Sequence, residues 1–169
     1  DCSTITAPTA TTQTFCSLDN PTIGDLTATA DGTLNWYFAS TGGSPLPTSF
    51  PISSGGTYSV SQSVAECESP RQPVTVQVNT SPGPPTASAQ TFCAFSNPTV
   101  NDLQASGAGV ISWYDDAQNS VELLTGETLA TGTYYARQTI NGCTSNPRQV
   151  EVTVNVTPAP TAVDQSFCN

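Results

Sequence analysis

Apolar and polar residues alternate along this chain in short stretches, broken every few positions by Gly, Pro, Asn or Ser. Nowhere do apolar residues recur at helical spacing for long enough to build a helix. In Thr33-Leu34-Asn35-Trp36-Tyr37, Leu34 and Trp36 point one way, and Ile111 and Trp113 repeat the arrangement later. Val74, Val76 and Val78 alternate with polar residues, as do Val150, Val152 and Val154. These patterns predict strands with one face on a core and the other in water. With Thr, Val, Ser, Tyr and Ile dominating between the breaks, they predict an all-β fold with Trp36 and Trp113 in the cores.

The pattern is written twice. Residues 7–80 return with edits at 84–157, and a third copy opens at the C-terminal end. Gln13-Thr14-Phe15-Cys16 returns as Gln90-Thr91-Phe92-Cys93 and then as Gln165-Ser166-Phe167-Cys168. Asn20-Pro21-Thr22 with Asp25-Leu26 matches Asn97-Pro98-Thr99 with Asp102-Leu103. Gly56-Thr57-Tyr58 with Gln62 and Cys67 matches Gly132-Thr133-Tyr134 with Gln138 and Cys143. The predicted organisation is the end of a preceding segment at 1–6, a repeat at 7–80, a Pro-rich linker at 81–85, a second repeat at 86–157, and a linker with the first strand of a third repeat at 158–169. Tandem copies favour a chain made for reach and durability over one built around a single cleft. Short Pro-rich joints are extended and semi-rigid, so two units end to end predict a rod of roughly 80 Å.

About seven strand-length segments per unit, a tryptophan on a middle strand and a tyrosine after Gly-Thr describe an immunoglobulin-like β-sandwich. Tyr58 and Tyr134 stand where a tyrosine corner would lock the chain, their hydroxyls bonding back to nearby backbone. The cysteine pair that usually flanks the tryptophan is missing, because Val60 and Ala136 occupy the place two residues after each tyrosine.

The six cysteines fall elsewhere. Cys16 and Cys93 end a first strand; Cys67 and Cys143 sit at the turn between the last two. The simplest pairing is Cys16–Cys67 and Cys93–Cys143, one per repeat, each closing a loop that stabilises by about 4 kcal/mol. A rival uses every cysteine: Cys2–Cys16, Cys67–Cys93 and Cys143–Cys168. Units this small need such a staple, and disulfides place the protein outside the cytosol, extracellular or at the cell surface.

Charge and composition then remove classes of function. Thirteen acidic residues face three arginines, with no lysine or histidine and a net charge of −10. Such a surface does not neutralise phosphates, so nucleic acid and anionic membranes are not expected partners. No apolar run approaches the roughly 20 residues of a membrane span. Without histidine there is no Ser-His-Asp or Cys-His pair and no imidazole metal site; without lysine, no Schiff base and no P-loop. No enzyme activity and no cofactor are expected.

The remaining candidates are few. Asp115-Asp116, with Glu122 and Glu127, form an acidic cluster peculiar to the second unit and the sole calcium candidate, against the plainer reading of solvated strand-end charge. Asn20-Pro21-Thr22 reads as a turn opener and Asp25 as a turn residue or an edge cap. Tyr37, Tyr114 and Tyr135 are expected to face outward, where aromatics either pack across a sheet or stack on sugars. Asn79-Thr80-Ser81 and Asn155-Val156-Thr157 are equivalent Asn-x-Ser/Thr sequons, read as polar strand ends. The segment 160–169 reads as the first strand of a third domain that follows or, left unpaired, as a β-augmentation donor to another chain.

As a set, Gln-Thr-Phe-Cys, Asn-Pro-Thr-Val-Asn-Asp-Leu, Ser-Trp-Tyr-Asp, Leu-Ala-Thr-Gly-Thr-Tyr-Tyr and Asn-Gly-Cys, between Gln90 and Cys143, resemble one known family. This is the immunoglobulin-like repeat of large surface and secreted Bacteroidota proteins, including gliding-motility adhesins and other long proteins exported by the type IX system. The first unit departs from it between Thr41 and Gly55, where Pro45, Pro47 and Pro51 interrupt the expected strands. The resemblance implies a cell-surface or secreted scaffold and by itself no ligand. With the cysteines and the proline joints the reading is a stiff, disulfide-braced spacer in a surface adhesin or filament, partnered by neighbouring repeats of the same polypeptide, with other copies in a filament as a further candidate partner. The alternatives are a carbohydrate-binding accessory module of a secreted polysaccharide-degrading enzyme, which needs a row of exposed aromatics, and a donor-strand pilin subunit.

Overall fold

The computed structural model describes residues 2–118, 121–158 and 161. The described residues form two compact units, those within 1–82 together with 140–144 and those within 83–139 together with 145–161. Both are all-β apart from single 3-10 turns.

In the first copy the strands are β1 (Gln13–Cys16), β2 (Thr33–Tyr37), β3 (Thr57–Val64), β4 (Cys67–Glu68) and β5 (Gln72–Asn79). They form one sheet in the order β1-β5-β3-β2, with β4 paired to the end of β3. β1 runs parallel to β5, from Gln13 opposite Val76 to Cys16 opposite Asn79. β3 runs antiparallel to both β5 and β2, with Tyr58 opposite Val74 and Val60 opposite Trp36. The facing layer contains no full strand among the described residues. It consists of extended segments joined by single bridges, Thr9 to Thr29 and Thr22 to Pro51. About seven strands per unit were expected. Asn20 in the left-handed region at φ 49° and the proline after it end pairing there, and Pro45, Pro47 and Pro51 withhold donors from the middle loop.

That layer still closes the core. Ile23, Leu26 and Ile52 descend on Trp36, Tyr58, Val60, Val74 and Val76 from the sheet, all buried. Each aliphatic side chain so buried contributes about 1.5–3 kcal/mol. Period-2 alternation is visible in β5, where Val74 and Val76 are buried between exposed neighbours.

The second copy repeats the plan with β6 (Gln90–Cys93), β7 (Val110–Tyr114), β8 (Gly132–Ile140), β9 (Cys143–Thr144) and β10 (Arg148–Asn155), ordered β6-β10-β8-β7 with β9 on β8. β6 is again parallel to β10. Val100, Leu103 and Leu129 cover Trp113, Ala136, Val150 and Val152. The β8–β9 turn carries Asn141 at φ 50° and Gly142 at φ 79°, residue types that accept the left-handed region, whereas the β3–β4 turn places Ala65 there at φ 52°.

Candidate functional site

The words that recur between the copies are clasps. Gln13 at the start of β1 bonds both ways to Thr27, its Nε2 donating to the carbonyl at 2.7 Å and its Oε1 accepting the amide at 2.9 Å. Gln90 does the same with Gln104. The Thr22 amide and hydroxyl donate to Asp25 Oδ2 at 2.8 and 2.9 Å, and Thr99 and Asp102 repeat the pair. Those bonds stabilise the charged form of Asp25 and hold its pKa below the usual carboxylate value. Asn20-Pro21-Thr22 is thus a left-handed turn leading into a cap.

Gln62, buried on β3, accepts the Asp31 and Gly32 amides at 2.8 Å each and donates to the Thr6 carbonyl at 2.8 Å. A side chain at Gly32 would run into the Ser63 carbonyl at 2.3 Å, so glycine is required there. Gln138 accepts the Gly109 amide and donates to the Gly83 carbonyl. The hydroxyls of Ser69 and Ser145 accept the Gln62 and Gln138 amides. Both corner tyrosines bond upstream backbone: Tyr58 Oη accepts the Ser53 amide, and Tyr134 Oη accepts the Ala130 amide and donates to the Ala130 carbonyl.

The cysteines depart from the expected pairings. Cys2 is bonded to Cys67 and Cys16 to Cys143, while Cys93 is an exposed free thiol. The topology gives the reason. Because β1 is parallel to β5, Cys16 lies beside Asn79 at the end of the sheet where β3 begins, Thr57 facing Thr75. Cys67 follows the other end of β3, facing Val64. Eight residues of strand separate those ends by roughly 25 Å, whereas a disulfide needs Cα atoms about 4.4–6.8 Å apart. Cys93 and Cys143 sit at opposite ends of the second sheet in the same way. In the rival scheme Cys2–Cys16 and Cys67–Cys93 are also absent, and Cys168 lies outside the described residues. Cys143 lies in the segment 140–144, which belongs to the first compact unit.

On the outer face of the first copy, Tyr37 was expected to be exposed but is only 4% so. The Arg71 guanidinium lies 3.2 Å over its ring, held there by the Ala39 and Gly42 carbonyls. The Tyr37 hydroxyl donates to Glu68 Oε1 at 2.7 Å, and the Ser61 hydroxyl donates to the same oxygen. The Ser61 and Tyr37 bonds hold the Glu68 carboxyl below its ordinary pKa. Burial, and then the Glu68 bond, push the Tyr37 phenol up. Sequence reasoning missed this cluster because its cover, Arg71, lies 34 positions away with no motif linking the two.

The acidic calcium candidates do not assemble. Asp115 is exposed and Asp116 half-buried after β7, Glu122 bridges to Tyr114, and Glu127 accepts the Leu124 amide at 2.8 Å. No three metal-ligating side chains converge among the described residues. Trp36 and Trp113 are buried, and Phe38, the exposed aromatic of the first copy, meets Phe50 edge-on at 84°. The sequon residues Asn79 and Asn155 end β5 and β10. An open groove along residues 9–13 and 27–29 of the first copy, and its counterpart at 86–88 and 104–106, are lined by Thr, Ser, Ala and Gln, with no ionisable group. A further groove of about 530 Å³ in the second copy is mostly apolar and contains Cys93, Phe95 and Val156. The strand expected at 160–169 lies outside the described residues, apart from Thr161. No described helix is long and apolar enough to cross a membrane.

Sheet topology, corner tyrosines and buried tryptophans together define two consecutive immunoglobulin-like domains. The family model described as Ig-like domain, CHU_C associated, matches residues 6–80 and again 82–158, and the chain belongs to that family. Among solved structures it is similar to the N-terminal Ig1-2 module of the Drosophila receptor protein tyrosine phosphatase DLAR, with 14% identity over 90% of this chain and 97% of that one and a TM-score of 0.27. It is also similar to immunoglobulin domains 1–5 of Sidekick-1, with 12% identity over 90% of this chain and 39% of that one and a TM-score of 0.26. No curated protein matches the sequence.

Proposed function

We propose that this chain is a spacer segment of an extracellular repeat protein, part of a surface adhesin or filament of the Bacteroidota kind, whose task is to hold its ends apart. The observation that carries the reading is which residues recur. The Gln13 and Gln90 clasps, the Thr–Asp caps, the tyrosine corners and the Gln62 and Gln138 brackets all appear in both copies, and all of them hold the fold. The outer faces differ between copies, where Thr144 and Pro147 stand in place of Glu68 and Arg71. Repetition of scaffold with drift of surface suits a structural unit better than a repeated binding cleft. The disulfides support an oxidising location outside the cytosol.

Sugar binding by an aromatic platform is less well supported, since both tryptophans are in cores and Phe38 and Phe50 are not coplanar. Electron microscopy of the full-length protein purified from its source tests the spacer. A thin fibre with a regular axial repeat is expected; a compact particle would overturn the reading.

A further inference from the structure

The turn cysteine is bonded in both copies, each time to a cysteine earlier in the chain, although the two partners fall at different places in the repeat. Cys143 holds Cys16 at the end of β1. Cys67 holds Cys2, which falls in the 77-residue frame at the position of Asn79, the residue facing Cys16 across β1 and β5. Cys93 is the counterpart of Cys16, facing Asn155 at the end of β6, and it is free and exposed.

Its surroundings differ from those of Cys16 in one direction. At the first site Ser17 and Ser81 are tied together, the Ser81 amide donating to Ser17 Oγ at 2.9 Å and Ser81 Oγ accepting the Leu18 amide. At the second site Ala94 replaces Ser17, Phe95 replaces Leu18 and Val156 replaces Thr80. Phe95 is 97% exposed and Val156 78%, and with Cys93 they line the apolar groove of about 530 Å³. An uncovered phenylalanine beside a free thiol is a surface that lacks its cover.

We propose that Cys93 and its apolar pad are a covalent docking site for the turn cysteine of a further copy of this repeat, following in the same polypeptide. The inference rests on the spacer reading above. The segment that occupies the equivalent site is Ile140-Asn141-Gly142-Cys143, which is uncharged and begins with an apolar side chain, and this suits the pad of Phe95 and Val156. The bond forms by exchange with a small-molecule or protein disulfide. The Cys93 thiolate attacks it and releases one thiol; the turn thiolate then displaces the second, so the donor leaves as two thiols carrying the electron pair, and both cysteines lose their protons.

The test lengthens the chain by one copy, residues 1–157 followed by a second 84–157, with Thr144→Ser in the added copy as a mass tag. After refolding in oxidised and reduced glutathione, free thiols are alkylated and tryptic peptides are mapped without reduction. The tagged turn peptide is expected to be bonded to the peptide containing the first Cys93, with Cys16–Cys143 retained. Phe95→Asp in the same chain is expected to slow formation of the new bond several-fold and to leave Cys16–Cys143 unchanged. An alkylated Cys93, or Cys93 bonded to any other cysteine, overturns the site. A regular fibre in microscopy together with an alkylated Cys93 would sink this inference and leave the spacer standing.

Discussion

In the first copy Tyr37 lies under the Arg71 guanidinium and bonds Glu68; in the second, Thr144 stands in place of Glu68, Pro147 in place of Arg71, and an arginine appears instead at 137, inside β8. Arg137 spends its Nη1 and Nη2 on the Ser145 and Ala117 carbonyls and leaves its buried Nε without a partner. The same sheet face is therefore covered by a cation–carboxylate network in one copy and by an arginine reaching backbone in the other. Behind both faces the core and the brackets are alike. What the fold demands is constant, and what merely covers it has been replaced.

The strongest way to break the comparison is in the cores. Trp36→Ala and Trp113→Ala should each cost about 3–5 kcal/mol in their own copy. Each variant keeps one tryptophan as a reporter, so denaturant titrations followed by fluorescence are expected to show the surviving reporter in its native environment. Loss of the surviving tryptophan's native signal at the denaturant concentration that unfolds the mutated copy would contradict separate cores.

The brackets come next. Gln62→Ala removes the buried side chain that accepts the Asp31 and Gly32 amides, and Gln138→Ala the one that accepts the Gly109 amide; with the donors only partly buried, each should cost about 1 kcal/mol or somewhat more. Chemical denaturation of the two variants should give similar losses. An effect confined to Gln62 would show that the copies are held differently after all.

The smallest effect sharpens the difference between the faces. Because the folded pKa of Glu68 is below its ordinary 4.5, its contribution is present above that pH and is lost as pH falls through the lowered value. Because that of Tyr37 is raised above 10.0, its contribution is present below pH 10.0 and is lost as pH rises through the raised value. In a Trp113→Phe background that leaves Trp36 as reporter, Glu68→Gln should flatten the acid limb of the stability curve. An unchanged acid limb would mean that the network contributes nothing.

Much of the fold was legible in the sequence because its causes are local. Alternation at Leu34 and Trp36 and along the valine strands gives the strands and their buried faces, since successive side chains point to opposite sides. Gly-Thr-Tyr, Asn-Pro-Thr and the Asp three residues after Thr22 act on backbone within a few positions, so the corners and caps follow from spacing. The Tyr37 cover and the disulfides were not legible, because each depends on which strands become neighbours.

The sequence by itself determined two all-β copies, their cores, their corners and a charge balance unsuited to phosphate. Tertiary structure alone decided that the first strand of each copy lies parallel to the last. Loop-closure entropy treats any two cysteines as able to meet, so the sequence left the simplest pairing, one bond within each copy, as the expectation. A strand is stiff over its length, however, and the parallel register sends Cys16 and Cys67 to opposite ends of one sheet. The bond that forms is therefore Cys16 to Cys143, with Cys93 left facing outward.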